Sequence, residues 1–226
     1  MWRTFFSDYK IEVVCYFREH LSYVVSAYAS DVFTGNTAAA FSDYVQFFAP
    51  SPKWITNRWS KVTKRCKWHL FDRAVLAGGT VVTDFVETLG LDIPTSGEYE
   101  QNHSISGNLL AFKLLVNLCR CHSMTQFVAL RELAGSEPRF RGKIRLSAAE
   151  QDHIRTRNDA NEALRELVGE VPLADYTNGN EVFERETLTT DFSHISKRMN
   201  CFPEISQHPL LSQLMNKGIQ SQVLLP

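Results

Sequence analysis

Arg18 and Ser26 are the pair whose types and spacing could do chemistry. Arg18 closes the run Ile11-Glu-Val-Val-Cys-Tyr-Phe, and Ser26 follows eight residues later on a stretch with helical spacing. A guanidinium at the carboxyl end of a strand, followed by a helical hydroxyl, is a way to grip a phosphate. The planar fork of donors suits a pair of phosphate oxygens and keeps its charge at any relevant pH.

Other chemistry-bearing residues carry blander readings. Tyr23 and Tyr28 read as rim or core aromatics, and His20 as a cap or surface residue at a helix start. Arg73 follows a strand and is a secondary candidate for the same cleft, while Asp72 has no identified partner. Ser104, next to His103, reads as a helix cap. Trp54, Trp59, Phe41 and Phe47 read as core. Cys119, Cys121 and His122 lack the second pair that a zinc site needs, so no metal is expected. No Ser-His-Asp order or Cys-His pair stands out, and the catalytic residues stay unknown.

The elements that must position Arg18 and Ser26 follow from periodicity. Residues 12–17 form an apolar run without alternation, which is a strand buried on both faces of a parallel sheet. Apolar residues at Leu21, Val24, Val25 and Tyr28 predict a helix over 19–31. Helices are expected at 41–48 and 54–62, with Pro50-Ser51-Pro52 as a stop, and a second strand at 67–71. Further helices are expected at 80–89, ended by Gly90, then at 104–119 and 124–133. Ser147 and Glu150 form a capping box that opens one long helix to about Val168. After Gly169 the periodicity fades, so residues 170–226 read as an irregular, peripherally packed extension.

Composition narrows the partners. The 226 residues hold 44% hydrophobic and 22% charged residues, and the net charge is −1. No global field recruits nucleic acid or anionic membrane, so any anion site must be local. Lys61, Lys64, Arg65 and Lys67 read as a solvated helix face. Five cysteines without framework spacing point to reduced thiols and a cytoplasmic setting. There is no apolar run of membrane-spanning length, nor the basic-then-apolar start of a signal peptide.

The stretch Tyr16-Phe-Arg18-Glu-His-Leu-Ser-Tyr-Val-Val-Ser26-Ala-Tyr28 resembles the 3′-phosphate-binding motif of sulfotransferases that use 3′-phosphoadenosine 5′-phosphosulfate (PAPS). Arg18 and Ser26 fall on its arginine and serine. Further segments resemble bacterial members in order. They are Phe71-Asp-Arg73 with Leu76 to Gly79, Val82 to Phe85 with Leu89 to Leu91, Asn102 to Ser106, and Arg157 to Asp159 with Asn161-Glu162. The family's 5′-phosphosulfate loop is not among them, since no G-x-x-x-x-G-K-[ST] occurs and Gly142-Lys143 is followed by Ile144.

The resemblance implies an α/β fold: a short, partial sulfotransferase-like parallel sheet with a predominantly helical remainder. It implies a truncated sulfotransferase-like domain over 1–169, with Arg18 and Ser26 on the 3′-phosphate of PAPS. The implied reaction is sulfuryl transfer to a hydroxyl, on a carbohydrate or another acceptor. Without the 5′ loop the chain is expected to be nearly inactive alone. The alternative is a non-catalytic helical interaction or regulatory protein. In that case a protein partner or a second copy would cover the exposed sheet edge.

Overall fold

The computed structural model describes residues 8–48, 51–95, 104–118, 124–157 and 159–199. Among these the chain is mixed α/β and mostly helical, with one two-stranded parallel sheet. It divides into two compact units, each assembled from separated segments.

The first unit comprises residues 1–23, 49–100 and 152–174. Strands β1 (Val13–Phe17) and β2 (Cys66–Leu70) pair in parallel, with Val13 opposite Cys66 and Phe17 opposite Leu70. Alternation sends Cys15, Phe17, Trp68 and Leu70 to one face. There they pack with Ile55, Leu164, Leu167, Val168 and Val171. The helices of this unit include α3 (Pro52–Ser60), α4 (Val81–Leu89) and α8 (Ala160–Val168). Thr80 caps α4 by accepting from the Thr83 N–H at 3.1 Å, and Gly90, at φ 64°, ends it.

The second unit comprises residues 24–48, 101–151 and 175–226. It holds most of α1 (His20–Thr34), together with α2 (Phe41–Phe47), α5 (Gly107–Leu118), α6 (Met124–Ser136) and α9 (Leu188–Met199). Every residue of α5 from Gly107 to Asn117 is buried, so this is the unit's central helix. The ring of Phe112 meets that of Phe192 edge-on at 5.4 Å. Asn108 donates to Asp191 at 2.8 Å, tying α9 to the centre.

Four expectations are corrected. The stop after residue 48 holds, since α2 ends at Phe47, but the helix expected from 54 starts earlier, at Pro52, because a first-turn residue needs no N–H. Ser104 is not a cap; its carbonyl accepts from the Gly142 N–H at 3.3 Å, and α5 begins at Gly107. The long helix after Ser147 is two helices, α7 (Ala148–Thr156) and α8. Between them Asp159 leaves helical geometry at φ −81°, ψ 21°, and its carboxylate turns to Lys53 at 3.3 Å. The stretch beyond 170 is not wholly irregular. Val171 enters the first unit's core, and α9 buries Phe192, Ile195 and Met199 in the second.

Candidate functional site

The second face of the sheet carries the polar residues. Tyr16 and Arg18 alternate with the buried Phe17, and His69 lies opposite Tyr16 in register. Phe71, one step past β2, donates its N–H to the Phe17 carbonyl at 2.6 Å, so the ladder runs one residue beyond β2. The Arg18 guanidinium stacks on the Phe71 ring, 4.3 Å from its centre. A cavity of about 240 Å³ opens here, lined by Arg18, Tyr16, His20, Tyr23 and Phe71, with Ser51, Pro52, Ile55 and Ala160 completing it. The carboxyl ends of parallel strands are where α/β sheets bind ligands.

The start of α1 borders this cavity, but its donors are engaged. Glu19 is the N-cap and accepts from the Ser22 N–H at 2.9 Å. Asn161 accepts from the His20 N–H at 2.8 Å and donates to Glu19 Oε1 at 3.1 Å. Arg155 stands 3.7 Å from the same carboxylate and donates to the Ala174 carbonyl. An anion in the cavity therefore meets Arg18 rather than these two N–H groups of the helix. His20 is 5% exposed, so the reading as a surface residue is corrected. Burial lowers its imidazole pKa, with Glu19 opposing, which keeps it neutral near pH 7.

Next to Arg18 on the same face is a group that sequence reasoning missed. Asp84 Oδ2 accepts from the Tyr16 hydroxyl at 2.7 Å and lies 3.2 Å from His69 Nδ1. Its Oδ1 accepts from the Ala77 N–H at 3.1 Å. Burial raises the Asp84 pKa, but Ala77, Tyr16 and His69 together outweigh it, and the net shift is downward. Asp84 is thus a carboxylate, and His69 Nδ1 faces it as a donor. In the neutral ring that leaves Nε2 as an acceptor, an arrangement suited to moving a proton. The only advance signal was the alternation that puts Tyr16 and Arg18 on one face.

Arg18 thus sits in the first unit's cavity, whereas Ser26 lies on α1 in the second unit and is not among the cavity's lining residues. Arg73 is exposed and does not line the cavity either. Asp72 does have a partner: it accepts from the Ala74 N–H at 2.9 Å and shapes a turn. Tyr23 lies at the cavity rim, while Tyr28 is core and donates to the Ala39 carbonyl at 3.0 Å. Trp54 and Phe47, expected in the core, are 64% and 87% exposed, and Trp59 is 36% exposed. His103, Cys119, Cys121 and His122 lie outside the described residues. Among the described residues no three His, Cys, Asp or Glu side chains gather as metal ligands. No described helix is long and apolar enough to cross a membrane.

Comparison with known proteins returned no matching family model, no matching curated protein and no matching solved structure.

Proposed function

We propose that the chain is a sulfotransferase-like protein that holds the 3′-phosphate of PAPS, or of its product 3′-phosphoadenosine 5′-phosphate, at Arg18. One observation supports the reading above others. Arg18 directly follows a parallel strand, holds its guanidinium over the Phe71 ring at 4.3 Å and lines a cavity at the strand ends. At about 240 Å³ the cavity is smaller than whole-ligand pockets, so it takes the phosphate end and leaves the adenine outside. The setting is the reducing cytoplasm, and the acceptor is a hydroxyl, on a carbohydrate or another molecule.

Sulfuryl transfer also needs donors on the leaving phosphate and a base at the acceptor. The sequence holds no phosphate-loop motif for the first task. Losing one such donor costs about 10²–10³ in rate, so binding is expected to exceed turnover in this chain.

Calorimetric titration with 3′-phosphoadenosine 5′-phosphate tests the reading. Arg18→Ala is expected to weaken binding about 30-fold, the worth of a charged hydrogen bond. Absence of binding by the wild type, or equal binding by the variant, would sink it. A second reading, as an interaction protein, is favoured by the two-stranded sheet, whose outer edges pair with no strand among the described residues. A stable oligomer that ignores the nucleotide would point there.

A further inference from the structure

The stretch between Asp43 and Asp72 contains no acidic residue and six cations: Lys53, Arg58, Lys61, Lys64, Arg65 and Lys67. That is an asymmetric segment in a chain of net charge −1. Lys53 is answered by Asp159 at 3.3 Å and Lys67 by Glu12 at 2.5 Å. Arg58, Lys61, Lys64 and Arg65 are exposed and form no ion pair among the described residues. Trp54 stands among them, 64% exposed, with the Arg58 guanidinium 5.3 Å from its ring.

Helical geometry arranges these groups. At 3.6 residues per turn, Trp54 and Arg58 on α3 and Lys61, its C-cap, which keeps helical geometry, fall within an arc of about 60°. Thr56 falls on the opposite side and is buried, and Ile55, beside the arc, turns into the core. The outward face of α3 is therefore an indole flanked by two cations, and Lys64 and Arg65 follow it in the chain, both exposed. It is convex, being the outside of a helix. A single nucleic-acid strand is bound in a groove that tracks its backbone. A convex cationic face with one protruding indole fits a planar anionic surface, where tryptophan settles at headgroup level and cations snorkel to the phosphates.

We propose that α3 and the turn after it dock on an anionic phospholipid surface, with Trp54 entering the headgroup layer and Arg58, Lys61, Lys64 and Arg65 facing the lipid phosphates. Each cation near such a surface is worth about 1 kcal/mol, roughly fivefold in binding. The contact is reversible and weakens as salt screens it.

Flotation of the full chain with mixed phosphatidylcholine–phosphatidylserine vesicles tests this. Binding is expected there and not to phosphatidylcholine alone, and it should fall as salt rises. The combined Arg58→Gln, Lys61→Gln, Lys64→Gln and Arg65→Gln variant is expected to lose binding at least a hundredfold. Trp54→Ala should lose it severalfold at unchanged charge. Circular dichroism of both variants should match the wild type, since all five side chains are exposed. No flotation with anionic vesicles, equal binding to neutral ones, or retention by the combined variant would overturn the proposal. So would binding of a single-stranded RNA oligonucleotide by a chain that ignores vesicles.

Discussion

The Tyr16 hydroxyl donates to Asp84 Oδ2 across 2.7 Å and so ties β1 to α4. The tie shares one carboxylate with His69 and the Ala77 N–H, so it sets both the packing of α4 and the orientation of the imidazole. It also links the wall of the Arg18 cavity to the one acid–base set on that face, because Tyr16 lines the cavity itself.

Tyr16 and Asp84 should therefore limit stability at opposite ends of the pH scale. Burial, reinforced by Asp84, pushes the Tyr16 pKa up to about 12. A raised folded pKa gives stability below the ordinary tyrosine value of about 10 that is lost as pH climbs from there to about 12. Asp84 titrates below its ordinary value, so its contribution holds above about pH 4 and fades as acid protonates it. Tyr16→Phe should flatten the alkaline loss, and Asp84→Ala the acid loss while costing about 2 kcal/mol near neutrality. Urea midpoints across pH measure both. Unchanged profiles in the two variants would refute the assignment.

Asn161 should matter more than its neutral side chain suggests. It is 7% exposed and satisfies two buried groups, the His20 N–H and Glu19 Oε1. Asn161→Leu strands the His20 N–H and leaves Glu19 Oε1 only Arg155 at 3.7 Å, with an expected cost of about 3 kcal/mol. Asn161→Asp should be worse, since it sets a second carboxylate against Glu19. Thermal melts would show the order, and a harmless Asn161→Asp would contradict it.

Arg18 at the end of β1 was legible because an apolar run that starts with two β-branched residues and its terminal cation are local signals, whereas Cys66-Lys-Trp-His-Leu, with no β-branched residue, gave β2 a weaker one. Ser147 with Glu150 was legible for the same reason, and the Ser147 hydroxyl does lie 2.7 Å from the Glu150 carboxylate. The Tyr16–His69–Asp84 set was hidden because it depends on register, and nothing local says that Tyr16 faces His69 rather than a neighbour. Trp54 misled for a different reason. A tryptophan in an amphipathic segment reads as core, yet the orientation of α3 is decided by Ile55 and Thr56 packing inward. The α9 helix escaped notice because its buried face includes Asp191, an acid made acceptable by Asn108 and by Arg139 at 2.6 Å.

Two glycine substitutions should separate conformational strain from crowding. Gly90 sits at φ 64° with nothing within 4 Å of a would-be Cβ, so Gly90→Ala should cost only about 1 kcal/mol. Gly107 sits at φ 57°, and a Cβ there would stand 2.8 Å from the Arg139 carbonyl oxygen, a backbone atom. Gly107→Ala adds overpacking to strain and should cost about 3 kcal/mol. Equal losses in the two variants would show that crowding at Gly107 is relieved.

Lys113 gives the last expectation, because it is a cation buried in the middle of α5. It is 1% exposed, donates to Asn117 Oδ1 at 2.6 Å and lies 5.2 Å from the centre of the Phe127 ring. Burial lowers its pKa from 10.5 to about 8. Between those values the unfolded chain binds more protons than the folded one, so stability should rise with pH across that window. The full rise is about 3 kcal/mol, and it precedes the alkaline loss from Tyr16. Lys113→Met keeps the length of the side chain and removes the charge. It should abolish the rise: above the window the variant should be about 1 kcal/mol less stable than the wild type, since Asn117 Oδ1 loses its donor, and below it about 2 kcal/mol more stable, since no buried charge is left. Denaturant midpoints measured through the window decide the matter, because a rise that persists in Lys113→Met would have to come from another group.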